Sequence, residues 1–281
     1  MKFVSFKLNR VPHWGVVNGD TIHYSDKLMT HFPTLLSVIE NYSFIDFKKH
    51  LTKVVNFDDV EILPPFLPRK NVMCIGKNYR EHALEMTGND ESAVPTTPVI
   101  FTKSPTSVIG HGDFIEAHEG VTSELDYEGE LAVIIGKEGR NISRENALDY
   151  VFGYTILNDV TARDLQKEHK QFFRGKSLDT FCPFGPVIVT SDEIDDVQSL
   201  SIKTYINEEL RQDGNTKDML FPVAELIEVL SNGMTLKPGD IIATGTPSGV
   251  GKGFNPPKFL KSGDVIRIEV EGIGRLVNRV K

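Results

Sequence analysis

Three prolines within five residues, Pro64, Pro65 and Pro68 of "ILPPFLPRKNVMCIG", constrain the fold of this chain more than any other feature. Proline has no N–H to donate and a fixed φ, so the stretch can be neither helix interior nor central strand, and it reads as a connection between two parts. Beyond it lie "NVMCIG", "PVIFTK", "ELAVIIG", "VFGYTILNDV", "GPVIVTS", "SIKTYIN", "DIIATG" and "DVIRIEVEGIGRLVNRV", short apolar runs bounded by Gly, Pro, Asn and Asp that read as strands. Helical spacing is rarer. It is clearest in "FPVAELIEVLSNGM", with Pro222 in the first turn, Leu226, Ile227 and Leu230 on one face and Gly233 as the stop. "SRENALDYV" and "TARDLQKEH" read as shorter helices, the second opening on Thr161 with Asp164 at capping-box spacing. Strands this numerous without regular helix alternation exclude a doubly wound sheet and predict an α+β, β-rich sandwich or roll. Residues 1–65 read as a small β-rich N-terminal domain with one helix in "TLLSVIENY", and residues 66–281 as the main domain.

Composition narrows the partners. A chain of 281 residues, 40% hydrophobic, can bury a sizeable core. Its net charge of −8 repels a phosphate backbone, so no nucleic acid is expected. No apolar run approaches the roughly eighteen residues that span a bilayer, and "MKFVSFKLNRV" lacks the apolar core of a signal peptide. The expectation is a cytoplasmic protein with no membrane partner. Cys74 and Cys182 are too few for a disulfide framework or a cysteine zinc site and read as reduced packing residues.

Chemistry concentrates at "DYEGELAVIIG". Alternation along a strand puts Glu128 and Glu130 on one face, continued by Ala132 and Ile134 into the core. Two carboxylates there oppose each other's ionisation unless a cation or a proton compensates; the alternative is a solvated strand end. Asp159 ends a strand where a helix begins, as a third carboxylate or as a helix cap. Together the three form an all-oxygen set that suits Mg²⁺ or Mn²⁺ and disfavours zinc.

His82 and Glu85 of "CIGKNYREHALEM" stand three apart, hence neighbours on a helix, where the carboxylate can hold the imidazole as a base; the alternative is a surface pair. The "TGNDESAVPTTP" that follows suggests that the pair sits on a lid. "TGTPSGVGKG" imitates a phosphate loop, but its first glycine is one residue out of spacing and Gly253 stands where Ser or Thr should hold magnesium. It reads as a turn offering backbone N–H groups and the Thr246 hydroxyl to an anionic substrate, or as an ordinary loop.

In order, "IGKNYREHALEM", "DYEGELAVIIGK", "NDVTARDLQ", "GKSLDTFCPFGP" and "MTLKPGDIIATGTPSGVG" resemble the fumarylacetoacetate hydrolase family, from about residue 70 to the C-terminus. The resemblance implies that family's mixed β-sandwich roll, a homodimer, and Mg²⁺ or Mn²⁺ held by Glu128, Glu130 and Asp159. It implies that His82 and Glu85 form a lid dyad that activates water or takes a proton. Lys176 matches the lysine that polarises substrate oxygens, and Arg163, Gln166 and Thr246 match positions that contact the substrate. Some relatives carry His where this chain has Asp126, which has no role by analogy. The implied substrate is a small 2-oxo acid, and the expected reaction is hydrolysis of a C–C bond in an acylpyruvate-type diketo acid. Isomerisation or decarboxylation at the same site is the nearest rival, and a non-catalytic small-acid binding protein the remote one.

Overall fold

The computed structural model describes residues 1–281, apart from the side chains of Phe44 and Lys48. Its strands are β1 (Lys2–Leu8), β2 (Val11–Asn18), β3 (Thr21–Tyr24), β4 (Lys53–Asn56), β5 (Glu61–Leu63), β6 (Val72–Gly76), β7 (Val99–Lys103), β8 (Val108–Ile109), β9 (Phe114–Ile115) and β10 (Leu125–Asp126). They continue with β11 (Gly129–Ile135), β12 (Val151–Asn158), β13 (Thr161–Ala162), β14 (Cys182–Thr190), β15 (Ser201–Ile206), β16 (Glu209–Asn215), β17 (Ile241–Ala243), β18 (Val265–Val270) and β19 (Gly274–Val280). The α-helices are α1 (Asp26–His31), α2 (Leu35–Glu40), α3 (Phe47–His50), α4 (Arg80–Glu85), α5 (Arg163–Glu168), α6 (Phe173–Lys176) and α7 (Val223–Ser231).

A large mixed sheet runs in the order β4-β3-β2-β1-β14-β12-β11-β17-β6-β7, and a five-stranded sheet in the order β16-β15-β18-β19-β9. The middle of the large sheet packs on β15, β18 and β19. All seven residues of β11 are buried, which is why "GELAVII" is apolar without a solvent-facing alternation. Alternation survives as a choice of core. Leu131, Val133 and Ile135 join the inter-sheet cluster with Ile202, Ile268 and Leu276. Ala132 and Ile134 join the other cluster with Phe3, Trp14, Leu35 and Phe47. The β-rich α+β class expected from the sequence is the one observed.

The proline stretch divides the chain in sequence but leaves the sheet continuous. β1 pairs with β2 on one side and, through Lys2–Val189, Phe3–Ile188 and Val4–Val187, with β14 on the other. Helix α2 forms in "TLLSVIENY" as its spacing suggests, and it is capped at its start, Thr34 accepting from the Ser37 N–H and Ser37 from the Thr34 N–H, both at 3.1 Å. Helix α7 starts just after Pro222 and turns its Leu226, Ile227 and Leu230 inward. "SRENALDYV" forms a 3-10 helix over Arg144–Tyr150 instead of an α-helix. The expected capping box on α5 is absent. Thr161 belongs to β13 and gives its hydroxyl to the Asp159 carbonyl at 2.9 Å, while Asp164 accepts from Thr122 and Ser123 at 2.6 and 2.9 Å. The short pairing of β13 with β10 delays the helix by one turn position and takes the residue that would have capped it.

Candidate active site

Glu128 precedes β11, Glu130 lies within it, and Asp159 follows β12, its antiparallel neighbour in register. That pairing joins the two segments, and Asp159 donates its backbone N–H to the Glu128 carbonyl at 2.9 Å. One oxygen from each of the three carboxylates lies within 4.8 Å of the others, and all three residues are buried. The sequence reading that placed these three together is therefore met in space.

Their surroundings differ. Lys176 gives hydrogen bonds to Glu128 at 2.8 Å and Asp159 at 2.7 Å, and Lys103 gives one to Asp159 at 2.6 Å. Arg163 Nη2 lies 2.7 Å from Glu128 Oε1. Burial pushes the Glu128 carboxyl upward, but the charges of Lys176 and Arg163 outweigh it and hold the group far below the usual range. Burial likewise opposes the Lys176 charge, and Asp159 and Glu128 reverse the sign, leaving the ammonium above its ordinary value. Among the described residues Glu130 has no lysine or arginine partner; it accepts the Gly245 N–H at 2.8 Å. Burial, then Asp159 and Glu128, drive its carboxyl well above the ordinary value. A buried carboxylate that resists ionisation beside two others is the environment a hard divalent cation relieves, and an all-oxygen donor set fits Mg²⁺ or Mn²⁺. Glu128, Glu130 and Asp159 are the residues that would hold it.

Lys176 reaches the cluster because α6 lies tightly on α5. A Cβ on Gly175 would stand 2.7 Å from the Gln166 nitrogen and 2.8 Å from the Ala162 carbonyl oxygen, so only glycine permits this approach. On α4, His82 Nδ1 is 2.8 Å from Glu85 Oε1, and the imidazole is almost wholly buried. Glu85 is in turn fixed by the Gly249 N–H at 3.0 Å. The carboxylate claims Nδ1 and leaves Nε2 as the nitrogen free to take a proton. His82, Glu128, Arg163, Gln166, Lys176 and Thr246 open onto one cavity of about 230 Å³.

Several expectations change at this level. Four N–H groups of the glycine-rich turn are already engaged: those of Gly245, Gly249, Gly251 and Lys252 go to Glu130, Glu85 and Asp126. The protein's own carboxylates are the anions that these four N–H groups satisfy. Thr246 lines the cavity, but its hydroxyl donates to the Gly129 carbonyl at 3.0 Å and accepts from Gln212 at 2.7 Å. Arg163 is held from behind by Asp126, Nε to Oδ2 at 2.8 Å, and its Nη1 reaches Gln166 Oε1 at 3.3 Å. Asp126 thus gains a role, accepting from Arg163 and from the N–H groups of Tyr127, Gly251 and Lys252.

Sequence reasoning missed Lys103, which is fully buried and binds Asp159 and the Val160 carbonyl. Its signal was a charged end on the apolar run "PVIFTK", two residues from Phe101 and so on the same strand face. Phe101 itself lines the cavity, with Lys176 Nζ 5.0 Å from its ring centre. Among the described residues no helix is long and apolar enough to cross a membrane.

Comparison with known proteins agrees with this architecture. Over 213 residues, 76% of this chain and 70% of the other, the sequence is 63% identical to oxaloacetate tautomerase YisK of Bacillus subtilis. The fold superimposes on the fumarylacetoacetate hydrolase of Exiguobacterium antarcticum with a TM-score of 0.91 at 49% identity, covering 100% of this chain and 99% of that one. It also superimposes on a 2-hydroxyhepta-2,4-diene-1,7-dioate isomerase from Mycobacterium marinum with a TM-score of 0.80 at 33% identity, covering 100% and 98%. Residues 71–281 match the family model described as fumarylacetoacetate (FAA) hydrolase C-terminal. The chain belongs to the fumarylacetoacetate hydrolase family.

Proposed function

We propose that this chain catalyses the keto–enol tautomerisation of a small 2-oxo acid of the oxaloacetate type, with Mg²⁺ or Mn²⁺ held by Glu128, Glu130 and Asp159. The observation that carries this reading is a small cavity onto which both Glu128, one member of the carboxylate cluster, and an imidazole whose Nδ1 is already engaged open. The 63% identity to a protein named as an oxaloacetate tautomerase supports it. When bound, the cation supplies Lewis acidity that lowers the cost of charge on the 2-oxo oxygen. His82 Nε2 takes a proton from the carbon next to the oxo group, and Glu85 stabilises the imidazolium that forms. Lys176 adds positive charge where the enolate oxygen develops. The imidazolium then returns the proton to that oxygen, so no atom is gained or lost. Arg163, held in place by Asp126, is the group that meets a substrate carboxylate.

Hydrolysis of an acylpyruvate C–C bond is the second reading, favoured by the likeness to the Exiguobacterium fumarylacetoacetate hydrolase. It needs a water where tautomerisation needs none. The two separate in one assay set: loss of the oxaloacetate enol absorbance, release of CO₂, and cleavage of acetylpyruvate, each with Mg²⁺ and with Mn²⁺. The proposal expects accelerated enol loss with neither CO₂ release nor cleavage. Acetylpyruvate cleavage faster than enol conversion would replace it with the hydrolytic reading. We further propose a homodimer, from the family likeness, with sedimentation equilibrium as its test.

A further inference from the structure

Five cationic side chains line the substrate cavity: Lys77, Arg163, Lys167, Lys176 and Lys252. Arg163 and Lys176 are committed to Asp126, Glu128 and Asp159. Lys252 and Lys77 are both half-buried and make neither an ion pair nor a side-chain hydrogen bond among the described residues. Of the two, Lys252 is the one rooted on Asp126, the carboxylate that also holds Arg163. Long cationic side chains ordinarily carry their charge out to water. Burial, and next the nearby Arg163 charge, push the Lys252 ammonium below its ordinary value, with Lys167 adding to the repulsion.

The backbone explains why Lys252 stays there. Its N–H donates to Asp126 Oδ2 at 3.0 Å, and the preceding Gly251 N–H donates to Asp126 Oδ1 at 2.7 Å. A Cβ on Gly251 would fall 2.5 Å from the Lys258 carbonyl oxygen and 2.6 Å from Asp126 Oδ1, so this turn is closed down onto the carboxylate. The same Asp126 takes Arg163 Nε at 2.8 Å. One buried carboxylate therefore sets the root of Lys252 and the direction of Arg163, while Lys167, on α5 with Arg163, lies at the exposed rim.

We propose that Lys252, with Lys167 at the rim, forms a second anion subsite in this cavity that receives the distal carboxylate of a dicarboxylic 2-oxo acid, and that Asp126 is its positioning residue. The proposal rests on the reading that the cavity takes a small 2-oxo acid of the oxaloacetate type, and it adds which residues of this chain recognise that acid's second carboxylate.

Malate and lactate test it without any turnover, since both are 2-hydroxy acids and only malate has a distal carboxylate. Calorimetric titration of each into the full chain with Mg²⁺ should give malate the tighter binding by about ten-fold or more, the worth of one charge-assisted hydrogen bond. Lys252→Met should bring the malate-to-lactate ratio close to one, Lys252→Arg should keep most of it, and Lys252→Glu should turn it below one. Asp126→Asn should shrink the ratio, because its amide cannot accept as an anion from Arg163 and the turn together. Malate binding no tighter than lactate in the unmodified chain, or an advantage that survives Lys252→Met, would overturn the subsite. A malate preference in a chain that converts no 2-oxo acid would support the subsite and sink the reaction reading alone.

Discussion

Phe3 and Trp14 pack on the face of the large sheet that also carries Glu130, and all three are essentially inaccessible to water. Around Phe3 the neighbours are rings, Phe47 at 5.3 Å and Phe152 at 5.7 Å between centres, so burial there is favourable on its own. Three strands from β1, where β11 begins and β12 ends, burial is unfavourable until charges balance: Glu128 and Asp159 have Lys103, Lys176 and Arg163 beside them, and Glu130 accepts a backbone N–H. The same sheet thus carries a region that holds the fold together and a region that the fold holds together. The difference teaches where a ligand can act, because only the second region has free energy to release when a cation arrives.

Four substitutions sharpen this contrast. Phe3→Ala should cost about 3–5 kcal/mol in urea unfolding through the cavity it leaves, with Mg²⁺ affinity unchanged. Lys103→Met should cost about 3 kcal/mol without metal, because it leaves the buried Asp159 with Lys176 as its one remaining cationic partner among the described residues, and added Mg²⁺ should recover part of the loss; an equal loss with and without Mg²⁺ would mean that Lys103 only fills space. Thr34→Ala, which removes one cap of α2, should cost about 1 kcal/mol and touch nothing at the site.

The fourth, Glu130→Gln, is read from the pH profile of metal-free stability instead of at a single pH. The folded-state pKa of Glu130 lies above its ordinary 4.5, so the folded chain holds the extra proton and stability falls as pH rises from 4.5 toward that raised value. Glu128 acts in the opposite sense: its folded pKa is depressed, so its contribution is present above 4.5 and is lost as pH falls toward the depressed value. The substitution should flatten the decline on the alkaline side and leave the acid limb in place. An unchanged profile would remove Glu130 from the strained cluster.

Much of this was legible along the chain because strand parity and helix spacing are local. Glu128 and Glu130 beside an apolar run, and His82 three residues from Glu85, needed only the periods of a strand and a helix. The partners supplied from far away were not legible. Lys103 reaches Asp159 across 56 residues, and the Gly251 N–H reaches Asp126 across 125, through pairings that no local pattern encodes. Asp126 illustrates the limit: analogy gave it no role, but its work is to gather groups from α5 and the glycine-rich turn. That turn misled for a related reason. Its composition announced available N–H groups, whereas the fold had already assigned four of them to three carboxylates. Thr161 failed as a cap because a two-residue strand pair claimed it first.

Calorimetric titration of Mg²⁺ into the metal-free chain and into its Glu130→Gln variant tests the central claim most directly, since it asks whether the uncompensated carboxylate exists for a cation. The account predicts one site per chain in the unmodified protein and loss of measurable binding in the variant, with both equally folded by circular dichroism. Equal affinity in the two, or no binding in either, would contradict it.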